Sequence, residues 1–229
     1  MSALLAPEDT IFTTTFRRRK ARGFQGMDCE QLSKHDYCIV SVGVSVAREL
    51  VVKHHYAKGG SNTATFSHGL FRHKDLLTCL GVAWWIPPTK DAAEATWDGD
   101  FREVLTLSRL VIAPGVPGNA ASFLIARSVR LIAQDGRFRC LITYADEWQG
   151  HTGAIYRATN WEYLGLTTPE PTFTDETGRL RTRKAGGHTR TRTEMELDGC
   201  TMIGRFAKHK FRLILPPRRH GLKQGKFAI

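Results

Sequence analysis

The 229-residue sequence predicts a mixed α/β fold with a mixed central sheet flanked by helices and a basic C-terminal extension. Three observations lead there. Short apolar runs of strand length alternate with helical periodicity, without an internal repeat. A strand, a Gly/Pro turn and a helix follow one another over residues 104–134. The formal net charge of +11 lies wholly in residues 179–229, because the first 178 residues hold 19 basic and 19 acidic side chains. Hydrophobic residues make up 41% and charged residues 24% of the chain, which excludes a disordered or fibrous protein. No apolar run approaches the roughly 20 residues that cross a bilayer, and Met1 to Thr15 lacks a secretory pattern. A cytoplasmic protein is expected. Five cysteines with no C-x-x-C read as buried thiols rather than a disulfide or zinc framework.

Three units are expected: a basic arm and first strand over 1–40, a core over 41–178, and a basic nucleic-acid-binding segment over 179–229 that completes the sheet. The arm carries Arg17 to Lys20 and Arg22. From Ser45 to Tyr56 a helix capped by Ser45 delivers His54, His55 and Tyr56 to its end. Ser67–Arg72 and Leu76–Ile86 read as a hairpin with Trp84 and Trp85 on its second strand. Val104–Ala113 is a strand, 114–119 a turn, and Ala120–Gln134 a helix. Arg139–Ala145 is the next strand, Thr152–Thr159 a short helix, and Trp161–Leu164 another extended piece.

The tail has two basic parts. Arg179, Arg181, Arg183, Lys184, Arg190 and Arg192 stand among threonines and glycines, a composition suited to a flexible loop touching phosphates. Lys208, Lys210 and Arg212 alternate around Phe211, as in a strand with one wet basic face. Any one cluster is ordinarily a solvated face; three on an otherwise neutral chain point to nucleic acid.

The turn at 114–119 can present the backbone N–H groups of Gly115 to Ala121 to a phosphate at a helix N-terminus. Its spacing fits neither the P-loop nor the dinucleotide fingerprint, and an ordinary turn accounts for it equally well. The block from Leu141 to Gly165 adds a strand, a short helix bearing Tyr156 and an aromatic strand. With it the order of elements resembles the GNAT N-acyltransferase superfamily. Within that superfamily the chain is most similar to the phage Mom DNA-modification proteins, through His55–Tyr56, Leu107–Leu110, Ala120–Phe123, Tyr144–Asp146 and Gly153–Tyr156. The similarity spans about His54 to Gly165, roughly half the chain. Residues 114–118 depart from the pyrophosphate loop usual in GNAT enzymes.

The resemblance implies an enzyme that carries a carbamoylmethyl group to N6 of adenine in double-stranded DNA, which shields phage DNA from restriction in the host cytoplasm. Adenine N6 is a poor nucleophile, so the site must accept a proton and stabilise an oxyanion. Asp146 is assigned to orient or deprotonate the amine, with a helix N-cap as its plain alternative. Tyr156 corresponds to a leaving-group acid, unless it is a core tyrosine. His55 and Tyr56 shuttle the proton or stack on the base, or simply close the helix. Arg109, Gly115, Gly118 and Ser122 are assigned to the acyl donor; a surface arginine and an ordinary turn and cap are the alternatives. Trp84, Trp85 and Trp148 wall the base pocket or fill the core. His54, His55, Asp146 and His151 could gather round an ion, but their spacing is not diagnostic and no metal is assigned.

The group to be installed contains a nitrogen that the acetyl group of acetyl-CoA lacks. Glycyl transfer to N6 gives an isomer of the product, and attack of its free amine on ring C6 through a five-membered spiro intermediate would interconvert the two. The donor is therefore an activated glycine, with glycyl-tRNA as a candidate partner, or acetyl-CoA with a separate nitrogen source. The rival readings are a DNA-binding regulator on an inactive acyltransferase fold and a protein N-acetyltransferase.

Overall fold

The computed structural model describes residues 31–185 and 187–217. The basic arm expected before residue 23 and the basic residues after 217 lie outside the described residues. In chain order the elements are β1 (Tyr37–Ser41), α1 (Val44–His54), β2 (Phe66–Arg72), β3 (Gly81–Ile86), α2 (Lys90–Glu94), β4 (Val104–Ile112), α3 (Ala120–Asp135), β5 (Cys140–Asp146), α4 (Ala154–Ala158) and β6 (Glu162–Leu166). Then come β7 (Glu170–Thr174), β8 (Leu180–Arg181), β9 (Lys184–Ala185), β10 (His188–Thr189), α5 (Arg192–Leu197), β11 (Thr201–Phe206) and β12 (Lys208–Ile214).

A seven-stranded sheet runs β1-β2-β3-β4-β5-β12-β6. Neighbours are antiparallel except β4 and β5, whose ladder is parallel. The last strand among the described residues, β12, thus returns to lie inside the sheet between β5 and β6. Helices cover both faces, so the fold has three layers. On one face Ala83, Trp85, Leu105, Leu107, Leu141 and Phe211 pack against Leu124, Ile125 and Ile132 of α3 and Tyr156 of α4. On the other, Val82, Trp84 and Val111 meet Ala47, Leu50 and Val51 of α1, while Val104, Cys140 and Ile142 meet Ala93 of α2. Helix α3 forms because its buried positions 120, 121, 124, 125, 128 and 132 recur at helical spacing. It stops at Gly136, whose positive φ turns the chain while its N–H caps the Ile132 carbonyl.

Several expected boundaries move. Gly43, not Ser45, is the N-cap of α1 and offers no side-chain cap; Ser45 lies inside the first turn. The second hairpin strand begins at Gly81, because Leu76 and Leu77 stand exposed in a turn fastened by Asp75, which accepts the N–H groups of Leu77 and Thr78. Most consequential is the basic stretch read as a flexible loop. It forms the β9–β10 hairpin and leads into α5, which opens with a reciprocal Thr191–Glu194 capping box. Met195 of α5 packs with Phe173 and Cys200 as a second core beneath the three-stranded sheet β11-β7-β8.

Two polar features inside the main core carry predictions. Ser128 of α3 is fully buried, and its hydroxyl accepts the Trp85 indole N–H at 2.7 Å and meets His68 Nδ1 at 2.6 Å. Burial pulls the His68 pKa down to about 4 from an ordinary value of 6.5. The unfolded chain then takes up the proton first, so this contribution is complete above pH 6.5 and fades as pH falls towards 4. Thermal denaturation of the His68→Gln variant is expected to show a shallower acid limb than the parent over that window, by up to about 3 kcal/mol; parallel limbs would contradict the reading.

Gly153 caps α4 at φ +70°, and a Cβ there would overlap ring carbons Cε2 and Cζ of the buried Phe211 in β12. Gly153→Ala is therefore expected to cost about 3 kcal/mol, part strain and part overpacking. In a Phe211→Leu background the cost should shrink towards the strain alone. Equal penalties in both backgrounds, read by urea unfolding, would place the cause elsewhere.

Candidate active site

The parallel ladder between β4 and β5 is short. It joins Val104–Leu107 to Cys140–Thr143, after which β4 runs on to Ile112 along β3 and β5 runs on to Asp146 along β12. The Thr143 hydroxyl donates to the Leu107 carbonyl at 3.1 Å, satisfying a buried acceptor at the point where the strands part. One residue later β4 carries a bulge. Arg109 faces Trp84 and Leu107 faces Trp85, so Ser108 is the extra residue. The bulge re-aims Arg109, whose Nε donates to the Gly59 carbonyl at 2.9 Å and whose Nη1 donates to the Ser108 carbonyl at 2.7 Å.

The loop that Arg109 holds follows α1 and carries His55 and Tyr56. Their rings stack at 4.4 Å, and the Tyr56 hydroxyl donates to Asp146 Oδ2 at 3.3 Å. Asp146 ends β5 and begins a short 3-10 turn, but its carboxylate makes no cap there. It receives Tyr56 and stands 3.9 Å from Lys208 Nζ, its neighbour across the β5–β12 ladder. The His151 ring meets Tyr56 edge-on at 5.8 Å, and the backbone N–H of His151 donates to the Asp146 carbonyl at 3.2 Å. The sequence placed His151 only among four residues that might share an ion. Among the described residues no three His, Cys, Asp or Glu side chains converge as a metal site.

Burial lowers the His55 pKa to about 3, with Arg109, His151 and Lys58 adding to the effect, so the ring is neutral. Its Nδ1 accepts the Ala57 N–H at 3.1 Å, which leaves the proton on Nε2 and makes His55 a hydrogen-bond donor. Burial, then the Asp146 charge, raise the Tyr56 phenol well above its ordinary range and keep it protonated. Burial also lowers His151, against the pull of Asp146. The cluster therefore offers one carboxylate acceptor beside neutral donors.

The other expected site residues are distributed differently. Tyr156 is buried against Phe211 and Trp161 on the α3–α4 face, hydrogen-bonded to Thr143, so it approaches the parting strands from the opposite side to Tyr56. Trp84 and Trp85 are fully buried in the core; Trp148 is half-buried in the turn after Asp146. Ser122 donates to the Asn119 carbonyl at 2.8 Å, and open space lies beside the α-carbons of Gly115 and Gly118. Asn119, which the sequence did not single out, clamps Leu32 by accepting its N–H at 2.7 Å. Among the basic residues, Arg183 donates to the Arg190 carbonyl, Arg190 is held by Asp198 and by the Thr182 carbonyl, and Arg192 pairs with Glu196. Arg179 reaches the Lys58 carbonyl. Lys184 is exposed and Lys210 half-buried, and neither forms an ion pair or hydrogen bond through its ammonium group among the described residues.

The Mom protein family matches residues 36–227. A relative described as methylcarbamoylase mom, from Escherichia phage Mu, is 24% identical over 136 residues, covering 59% of this chain and 55% of that protein. The chain thus matches about half the length of that relative. Arabidopsis thaliana NAA60, solved with a bisubstrate analogue, superposes with a TM-score of 0.50 at 9% identity over 78% of this chain and 97% of its own. A GNAT family acetyltransferase from Elizabethkingia anophelis with acetyl-CoA bound gives 0.47 at 11% identity, over 80% and 100%. The chain belongs to the Mom protein family and has a GNAT-like fold.

Proposed function

We propose that the protein modifies DNA, transferring an acyl-type group to N6 of adenine in a duplex so that the base ends as N6-carbamoylmethyladenine. The observation that carries the reading is Asp146. A carboxylate that accepts a protonated tyrosine at the mouth of the parted strands, with cationic Lys208 beside it on β12, suits an amine that must lose a proton next to a polyanion. In a phage this modification would protect DNA in the host cytoplasm from restriction.

The roles follow from the donors and acceptors present. N6 attacks the carbonyl carbon of an activated glycine, and the proton it loses passes to Asp146; the free amine of the N6-glycyl adduct then attacks ring C6, and cleavage of the original C6–N6 bond leaves the carbamoylmethyl group on the new exocyclic nitrogen. The Nε2–H of neutral His55 is the donor available to the developing oxyanion, and the Arg109 charge lies close behind it. Tyr56 orients Asp146 through its hydroxyl. Tyr156 keeps its proton through burial and is the acid for the leaving group on the α4 side. The open space at Gly115 and Gly118, the first-turn N–H groups of α3 and Ser122 fit a phosphate, so this end would hold the donor. A bound donor supplies the activated carbonyl. The product nitrogen favours an activated glycine such as glycyl-tRNA over acetyl-CoA with a second nitrogen source, and feeding nitrogen-labelled glycine separates the two. Extrusion of adenine from the stack is expected, since N6 is paired in the duplex.

Phosphate contact falls to Arg181, Lys184 and Lys210, whose cationic groups are not held by a hydrogen bond within the described residues. Converting all three to Gln is expected to flatten the log-affinity against log-salt slope by up to about 3 units. The parental slope in that variant would remove them from the DNA interface.

Expression in a bacterium is expected to yield deoxyadenosines heavier by one carbamoylmethyl group, read by mass spectrometry of digested DNA. Unmodified nucleosides from cells with full expression would overturn the reading. Asp146→Asn should keep fold and DNA affinity yet lower modification by on the order of 10²- to 10⁴-fold. Parental activity there would move the proton-accepting role elsewhere.

A further inference from the structure

The loop from His55 to Gly60 has no regular structure, yet it is built as a fixed object. Lys58 sits at φ 46° and closes a turn by donating its N–H to the His55 carbonyl at 2.9 Å. Three carbonyls along the loop and just beyond it are then taken by side chains from distant parts of the chain. Arg109, on the β4 bulge, donates to Gly59 at 2.9 Å. Trp84, from β3, donates to Thr63 at 3.2 Å, and its ring lies under Gly60. Arg179, 121 residues downstream of the loop, donates to Lys58 at 3.1 Å.

Arg179 differs from the other two because it belongs to the second sheet. It closes the β7–β8 turn, where Asp175 Oδ1 accepts its backbone N–H at 3.0 Å and the Asp175 N–H returns a bond to its carbonyl at 2.9 Å. Its backbone is therefore anchored in the three-stranded sheet while its guanidinium is anchored on the loop. Arg181, two residues on in β8, pairs with Phe173 of β7 and has no such tie to the loop among the described residues.

We propose that Arg179 is a positioning residue for the modification reaction. It fixes the loop bearing His55 and Tyr56 to the β7–β8 hairpin, so that the sheet expected to meet DNA also sets the geometry of the cluster around Asp146. The proposal rests on the function given above. It removes Arg179 from the set whose main work is phosphate neutralisation. The physical reason is the carbonyl acceptor: a guanidinium that donates to a backbone oxygen constrains position, whereas phosphate attraction needs only charge. Misplacing a reacting group by about 1 Å costs on the order of 100-fold in rate.

The test compares Arg179→Ala, Arg179→Lys and Arg181→Ala in the full chain. Each is measured for adenine modification at saturating duplex DNA, for the salt dependence of DNA affinity, and for the side-chain NMR shifts of His55, which the stacked Tyr56 ring displaces. Arg179→Ala should lower the saturating rate about 10- to 100-fold, leave the salt slope near the parent's, and move the His55 ring signals. Arg179→Lys should recover part of both. Arg181→Ala should weaken binding and flatten the salt slope without moving the His55 signals. The proposal is overturned if Arg179→Ala keeps the parental rate and His55 shifts, or if it changes only the salt slope as Arg181→Ala does. Absence of modification by the parent chain would remove the function instead, while unmoved His55 signals in Arg179→Ala would still remove the clamp.

Discussion

The early end of the β4–β5 ladder is the constraint on which the site depends. Parallel strands normally continue side by side, because each unpaired buried N–H or C=O is costly. Here the cost is met locally. Thr143 supplies a hydroxyl to the Leu107 carbonyl, the Ser108 bulge turns β4 towards β3, and β12 takes over the far edge of β5 as far as Asp146. The parting therefore points Arg109 at the loop after α1 and leaves Asp146 at a strand end, where it can accept Tyr56. A β4 without its bulge would shift the register beyond Ser108 by one residue and turn Arg109 to the α3 face.

The basic end of the chain is part of this construction. β12 lies between β5 and β6 with Phe211 fully buried, and Gly153 leaves room for that ring at the start of α4. Lys208 thereby reaches the neighbourhood of Asp146 as a consequence of sheet register. The residues between are held differently. Exposed pairs such as Arg192–Glu196 contribute at most about 1 kcal/mol each, so the order of the small unit comes mainly from Phe173, Met195 and Cys200. Its charges can then be presented to a polyanion without carrying the fold.

Much of the large sheet and of α3 was legible in the sequence, because each element signals itself locally. Periodic burial marks α3, and the Gly/Pro run 114–118 marks the turn before it. The cluster was legible in part: His55, Tyr56, Asp146 and Arg109 were named from motif order, and the structure brings those four together. What failed to show was whatever depends on tertiary contact. Thr, Gly and Arg between 179 and 192 have low apolar content, so nothing local signals that Met195 and Phe173 will organise them. The first turn of α1 misled for a related reason. Ser45 is a good cap residue, but Gly43 takes the cap because the chain leaves β1 there and the helix already begins at Val44. The ties of Arg179 to Lys58 and of Asn119 to Leu32 join residues 121 and 87 positions apart and have no short-range signature.

Two tyrosines flank the parted strands from opposite layers, and both are held protonated, which bears on how protons could move. Tyr56 comes from the α1 layer and donates to Asp146; Tyr156 comes from the α4 layer and is hydrogen-bonded to Thr143. Burial is the leading cause for each, so neither phenol serves as a base near neutral pH. His55 is excluded as well, since Nδ1 is occupied by Ala57 and burial opposes the imidazolium. In the proposed reaction the acceptor role is left to Asp146, where Lys208 and the Tyr56 hydroxyl address the same oxygen, Oδ2. Its other oxygen is then the one from which a substrate amine could take its geometry. In the proposed reaction, a carboxylate set beside neutral proton carriers gives the chemistry a direction: the proton from N6 would enter at Asp146 on one side of the strands, and the leaving group would take one from a phenol on the other.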